Sequence, residues 1–406
     1  MLLVQEYLLT HTFQQLAAEH GVYASFSKSG HKFSLNYDQI EAKESDPLAQ
    51  ECRGLILTTG SVLIGEINDL GKPIRDGIVP GPTQILAFPM KRFFNHGQGS
   101  AASINWSDPN LSVLEKLDGT LCIVYYDSII DQWCVATRSV PEADIVLDNG
   151  LYTFRTLFEK ALKETVGIDF SAYTSSLIKG FTYCHELTTP LNRIVVQYKD
   201  YVITMLSIRD SDGKEIDFSK IELCLFGVPS VRTYELKDIN LILDWVSSLN
   251  PLENEGVVIR DSNFNRIKVK NANYVAFNKA RDLLGSSERN CLELILAEKD
   301  DDVLAALPQE IVDNLLKLKE RVAKMIKDHD AKYLEVFNEA NTKAPGDKKT
   351  FAITLQGHKE LWQAPFFNIY GGRSKNMKEF IASSKKEGTW PNSFLDKILE
   401  IAKAYE

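Results

Sequence analysis

The residues most able to do chemistry begin with Leu114-Glu115-Lys116-Leu117-Asp118-Gly119-Thr120-Leu121, a lysine set just ahead of an Asp-Gly turn between apolar runs. An amine that attacks phosphorus must first lose its proton, and a free lysine, with a pKa of about 10.4, is neutral only about once in a few thousand molecules at pH 7. That deficit is worth roughly 4 to 5 kcal/mol. Neighbouring cations and partial burial disfavour the ammonium form, so such a lysine needs further Lys or Arg residues brought from elsewhere in the chain. Gly119 permits a tight turn and close backbone approach to a nucleotide, while Asp118 can orient the turn or accept a bond.

Partners of the right kind follow in order, each beside an expected strand. Arg53, in Glu51-Cys52-Arg53-Gly54-Leu55, offers a guanidinium that grips phosphate or ribose with fixed geometry. Met90-Lys91-Arg92-Phe93-Phe94-Asn95 combines two cations with two aromatics, suited to a phosphate and a purine face. Arg138 follows the run Trp133 to Thr137. Glu186, in Tyr183-Cys184-His185-Glu186-Leu187, is a carboxylate in an apolar strand and needs a partner such as a ribose hydroxyl. His185 alternates to the opposite face and reads as a core or surface histidine. Glu255 opens the apolar run from Gly256 to Ile259; one or two carboxylates plus phosphates suffice for magnesium, or manganese in its place. Lys268-Val269-Lys270 puts two amines on one side of a strand, an arrangement that polyphosphate between them makes tolerable.

A sheet scaffold has to gather these side chains. From Gly54 to about Lys270, short β-rich runs joined by turn residues predict antiparallel hairpins: Leu55 to Leu57 with Val62 to Ile64, Cys122 to Tyr126 with Trp133 to Thr137, Ile194 to Tyr198 with Val202 to Leu206, and Val257 to Ile259 with Ile267 to Lys270. Apolar residues every three or four positions predict helices over Leu3 to Glu19, Phe154 to Thr165 and Ile239 to Leu249. The class is therefore α+β. After Leu284 strand signals fade, and Ile311, Leu315, Leu318, Val322, Met325, Tyr333 and Phe337 share one helical face. Two domains are expected, 1–284 and an all-helical 285–406.

Composition narrows the class. Apolar residues at 44% and charged residues at 25% suit a packed globular chain, and a formal net charge of −9 argues against coating nucleic acid by bulk electrostatics. A local groove can still bind RNA, and basic clusters occur at Lys91-Arg92, Lys348-Lys349 and from Arg373 to Lys386. The six cysteines show no CxxC pair or zinc spacing and read as reduced, buried cytosolic thiols. Met1 to Phe13 resembles an amphipathic helix more than a signal peptide, and no segment approaches membrane-span length.

The ordered set resembles the covalent nucleotidyltransferase superfamily of ATP-dependent ligases and capping enzymes. Glu51-Cys-Arg-Gly, Lys91-Arg-Phe-Phe-Asn95 and Glu186-Leu-Thr-Thr-Pro-Leu-Asn-Arg-Ile-Val195 are similar to the RNA ligase 1 type of tailed bacteriophages that repair host tRNA, over roughly residues 45 to 280. The resemblance implies an adenylation domain in which Lys116 is the adenylated nucleophile. It also implies that Arg53, Arg92, Arg138, Lys268 and Lys270 hold phosphates or ribose, Phe93 or Phe94 packs on adenine, Glu186 binds ribose and Glu255 positions Mg2+. Tyr274 matches a further family position. Where the branch commonly has lysine, this chain has Arg92 and Arg138, which changes reach and geometry. By the same analogy the helical region selects the RNA, such as a broken tRNA or single-stranded end, after a polynucleotide kinase-phosphatase has healed it. A cytoplasmic monomer, acting in the host if phage-encoded, is the matching expectation. Two readings compete: a DNA ligase or capping enzyme, which would continue past the paired lysines into a small β-barrel, and a non-catalytic RNA-binding scaffold.

Overall fold

The computed structural model describes residues 1–67, 73–147, 150–217, 227–286, 288–297, 309–359, 361–386 and 389–405. The chain divides into two compact units, Met1–Val275 and Ala276–Glu406.

In chain order the first unit's strands are β1 (Val22–Phe26), β2 (Lys32–Tyr37), β3 (Arg53–Thr59), β4 (Glu66–Ile67), β5 (Pro73–Ile74), β6 (Thr83–Ala87), β7 (Phe94–Asn95) and β8 (Ser112–Lys116). They continue with β9 (Thr120–Asp127), β10 (Gln132–Thr137), β11 (Thr182–Thr188), β12 (Val202–Arg209), β13 (Glu215–Ile216), β14 (Thr233–Tyr234), β15 (Gly256–Arg260) and β16 (Arg266–Lys270). Beside the small β4-β5 pair they form three sheets, ordered β1-β2-β3-β6, β10-β9-β11-β12-β13 and β14-β8-β15-β16-β7. Pairing is antiparallel except between β16 and β7.

β9 shows why the sheets stack. Leu121 to Tyr125 are all buried, as expected of a strand covered on both faces. Cys122 and Val124 point into one core with Leu157, Phe158, Ala161 and Leu162, while Leu121, Ile123 and Tyr125 point into another with Ile56 and Leu86. The third sheet buries Val113, Val257, Ile259 and Val269 against Ile242 and Val246. β8 and β9 belong to different sheets, so Leu117-Asp118-Gly119 is where the chain crosses between them.

Helices α1 (Leu3–Tyr7) and α2 (Phe13–His20) replace the single helix expected over Leu3 to Glu19. Thr12 divides them: its side chain accepts from the Gln15 N–H while Gln15 reaches back to the Thr12 N–H, a capping box that starts a new helix. After α3 (Pro47–Glu51) come α4 (Phe154–Val166), α5 (Phe170–Ser175) and α6 (Ile239–Ser248), with α4 and α6 close to the expected spans. Two expected strands do not form. Val62 and Ile64 are exposed and unpaired in a ladder, β3 being flanked by β2 and β6, and Ile194 to Tyr198 is irregular backbone.

α7 (Ala272–Ser286) begins in the first unit and runs into the second, which continues with α8 (Glu288–Leu296), α9 (Gln309–Lys343), α10 (Lys348–Gly357), α11 (Gln363–Tyr370), α12 (Met377–Ser383) and α13 (Asn392–Ala402). Leu315, Leu318, Val322 and Met325, spaced to share one face of α9, pack with Leu292, Ile381, Leu395 and Ile398. Further along α9, Val336 and Ala340 meet Phe351, Leu355 and Phe366. Ile311's side chain lies outside the described residues. The fold is α+β with a helical C-terminal region, as expected; beyond Lys270 the described residues contain helices and a single isolated bridge, Lys386 to Thr389. Cysteines 52, 122, 134, 184 and 291 are free and buried, Cys224 lies outside the described residues, and no described helix is long and apolar enough to cross a membrane.

Candidate active site

Strand register places the central charges. β15 pairs with β8 so that Gly256 faces Lys116, and with β16 so that Gly256 faces Lys270. Glu255, one residue before Gly256, therefore lies between two amines. Its Oε2 accepts from Lys116 Nζ at 2.6 Å and its Oε1 pairs with Lys270 Nζ at 2.8 Å. The carboxylate is 3% exposed, the two lysines 21% and 28%. Only glycine serves at position 256: φ is +143°, and a Cβ would sit 2.1 Å from the Val269 carbonyl oxygen.

Lys268 shares the Lys270 face of β16, two residues back, and β7 pairs alongside at Asn95. Its Nζ lies 5.1 Å from the Phe93 ring centre, and the Arg53 guanidinium lies 5.6 Å from the same ring. Burial, reinforced by the Lys116, Lys270 and Arg53 cations, pulls the Lys268 amine down to about 7. Arg53 enters from the first sheet at the head of β3; burial also lowers its pKa, with nearby Arg138 adding to the effect, and its Nη1 is buried without a hydrogen-bond partner in the described structure. A buried cation with an unused donor, beside two lysines, suits an arriving anion.

Glu186 faces this group from β11. Its Oε1 accepts the Gly119 N–H at 3.0 Å. Burial pushes its carboxyl up to about 7, with Glu255 adding repulsion and Lys116 and Arg53 opposing it. Gly119 permits that approach, because a Cβ there would lie 2.4 Å from the Leu187 carbonyl oxygen.

Asp118 faces inward and ties the turn down. Its Oδ2 accepts the Val195 and Val196 N–H groups at 2.9 and 2.8 Å, and its Oδ1 accepts the Tyr274 hydroxyl at 2.6 Å. The Tyr274 ring is 5.6 Å from Lys270 Nζ, so this tyrosine links turn and lysine. His185, on the other face of β11, is fully buried, bonds to the Tyr173 hydroxyl at 2.8 Å and is pushed down to about 3 by burial, which makes it a neutral core residue.

The remaining sequence candidates divide. Phe93 borders the roughly 70 Å³ cavity beside Lys116, with Arg53 and Glu186, whereas Phe94 is buried in β7 and does not border it. Arg92 lies 4.2 Å over the Tyr37 ring and 5.0 Å over Phe94 and donates to the Ala42 carbonyl at 3.3 Å. Arg138 lies 5.9 Å from the same Tyr37 ring. Tyr37 as a shared platform, and Tyr198, whose hydroxyl accepts the Asp118 N–H at 3.0 Å, were not anticipated. Nothing near Tyr37 signalled its role; Tyr198 was hidden in a run that read as a strand. Asn192, within the motif after Glu186, donates to the Thr120 hydroxyl at 2.6 Å.

Among the described residues no cluster of three or more His, Cys, Asp or Glu could hold a metal. A hard ion bound by Glu255, water and phosphate oxygens needs no such cluster, so this donor set fits Mg2+ or Mn2+ arriving with a nucleotide.

Similar to this chain are a protein of Autographa californica nuclear polyhedrosis virus, named provisionally as a bifunctional polynucleotide kinase/RNA ligase, at 25% identity over 68% of this chain and 37% of that one, and the RNA ligase of Rhodothermus phage RM378, at 24% identity over 73% and 80%. The chain thus spans little more than a third of the viral relative's length. Among solved structures, an archaeal ATP-dependent RNA ligase aligns over 77% of this chain and 78% of its own, with TM-score 0.43 and 15% identity. A family profile described as RNA ligase matches residues 51–274, which is more than half of the chain and includes every charged site residue from Arg53 to Lys270, and the protein therefore belongs to the RNA ligase family.

Proposed function

We propose that this chain is an ATP-dependent RNA ligase that joins RNA 3′-OH and 5′-phosphate ends through a Lys116-adenylate. The observation that carries the reading is the meeting of Lys116 with Glu255 at 2.6 Å, among cations brought from two sheets. Lys268, Lys270 and Arg53 repel one another in the unliganded protein, and a triphosphate among them relieves that repulsion, which is electrostatic preorganisation for an anion.

Lys116 Nζ, its proton released to solvent under the neighbouring cations, attacks the α-phosphorus of ATP. A P–N bond forms, the bond to the bridging oxygen breaks and pyrophosphate leaves, its charge met by Lys268 and Lys270. Arg53 and Glu186 hold phosphate and ribose, Phe93 packs on adenine, and Arg92 and Arg138 support them through Tyr37. An RNA 5′-phosphate oxygen then attacks the Lys116-bound phosphorus, freeing the lysine and forming a pyrophosphate-linked RNA-adenylate. Finally a 3′-OH attacks the activated 5′-phosphate, AMP leaves and a 3′,5′-phosphodiester remains. A divalent ion at Glu255, when bound, supplies charge neutralisation on the phosphates.

The helical region supports this choice over a DNA ligase or capping enzyme, since a small β-barrel after the paired lysines is missing from the described residues. We assign that region, 276–406, to selection of the RNA. An end-healing polynucleotide kinase-phosphatase is the fitting functional partner, and the enzyme acts as a monomer in the cytoplasm of its host. The test is ligation of nicked tRNA, linear single-stranded RNA and single-stranded DNA side by side. Wild type joins the RNAs in preference to DNA, and Lys116→Ala joins none; preferred joining of DNA, or joining by Lys116→Ala, overturns the reading.

A further inference from the structure

A cleft of about 650 Å³ opens directly from the Lys116 cavity, sharing Met90, Phe93 and Arg266 with it. Lys91, Arg92 and Lys214 line it. Arg266 is neutralised by Glu215, and Arg209, which also lines the cleft, is buried and donates to the Gly213 and Pro89 carbonyls, so the cleft's accessible positive charge rests on Lys91, Arg92 and Lys214. Lys91 is half-exposed and reaches Glu51 only at 3.7 Å, and Lys214 is exposed. In a chain of net charge −9, such a concentration is local and marks where a polyanion would be tolerated.

The far end of the cleft is the β15–β16 hairpin tip. Phe264 sits there with φ +62°, a left-handed backbone that a bulky residue adopts only under strain. Its ring is half-buried, beside the Arg260 and Arg266 guanidinium groups at 5.4 and 5.9 Å. An aromatic face held at the rim of a cationic trench is the pairing that single-stranded nucleic acid uses, bases stacking on the ring while the backbone follows the cations. Lys268 is four residues along the chain from Phe264, with strand from Arg266 onward, so the two lie at most roughly 13 Å apart, the length of a few stacked nucleotides.

We propose that this cleft holds the single-stranded RNA whose 5′-phosphate accepts the adenylate, with its phosphates against Lys91, Arg92 and Lys214 and one base on the Phe264 ring. The inference rests on the functional reading above and adds the path of the strand. Nucleotides next to the reacting end lie along β16 and leave over the hairpin tip.

The test is fluorescence anisotropy with a labelled, 5′-phosphorylated single-stranded oligoribonucleotide and the full-length protein, run beside Lys116 labelling by α-labelled ATP. Lys91→Ala/Lys214→Ala weakens RNA binding about tenfold and flattens the log Kd against log salt slope by about 1.4, two phosphate contacts' worth for a single strand. Phe264→Gly, which removes the ring while relieving the backbone, weakens binding about tenfold, and Phe264→Trp restores it. Adenylation by ATP alone stays at the wild-type rate in all of them. Unchanged RNA affinity in the lysine and glycine variants overturns the proposal; so does a raised KM for ATP with RNA affinity intact, which would give the cleft to the nucleotide. Because binding is read without turnover, loss of RNA affinity in these variants supports the trench even if Lys116 takes no label, an outcome that would sink the catalytic reading alone.

Discussion

Glu186 and Lys268 are held near neutrality from opposite sides, and the unliganded protein should carry the mark of both. Glu186 has its carboxyl raised to about 7 from an ordinary 4.5, so its contribution to stability is full below pH 4.5 and is lost as the pH climbs through 7. Lys268 is lowered from 10.5 to about 7, so its contribution is full above pH 10.5 and is lost as the pH falls through 7. Their joint contribution is lowest near pH 7. Glu186→Gln keeps an acceptor for the Gly119 N–H and removes the buried charge, which should stabilise the unliganded protein at pH 8 by roughly 2 kcal/mol, about 5 °C in Tm, with no gain at pH 4.5. Thermal melts at the two pH values check this, and an equal shift at both would contradict it. The chemistry-bearing residue types were legible in sequence because each is costly without a partner. Their ionisation was not legible, because it depends on which charges the other sheets bring near.

Among the elements, the hairpin of β15 and β16 carries most of the geometry, since its register alone puts Glu255 between Lys116 and Lys270. Gly256→Ala should therefore fail twice. The strained φ and the contact with the Val269 carbonyl should cost about 3 kcal/mol in urea unfolding, and displacement of Glu255 should slow Lys116 adenylation at least about tenfold. A variant with wild-type adenylation would mean the register is not what positions the carboxylate. This hairpin was readable from period-two alternation bounded by a turn. Ile194 to Tyr198 misled for a physical reason: Val195 and Val196 are as buried as strand residues, but Asp118 satisfies their N–H groups where a neighbouring strand would. The Leu3 to Glu19 periodicity continued across a break because α1 and α2 both bury apolar residues in the same core, while the Thr12 cap interrupts the backbone. The grouping of Arg53, Phe93 and Lys268 depends on separate sheets packing together, and no local pattern encodes that.

At the scale of the whole molecule, an acidic chain is consistent with an enzyme that binds RNA at one place and does not coat it. The change from strand-rich to helical texture was visible in sequence near Leu284, and the compact units divide at Val275, within the stretch where α7 carries on without interruption. The family profile ends at residue 274, close to that division, so membership in the family speaks for the first unit and the role of the second rests on the proposal made for it. All of the proposed steps depend on one covalent event at Lys116. Mass spectrometry of peptides from protein incubated with ATP and Mg2+ tests it most directly. One adenylate on the peptide containing Lys116, lost when 5′-phosphorylated RNA is added and never formed by Lys116→Ala, is the predicted result; an unmodified Lys116, or adenylate on another residue, would contradict the account.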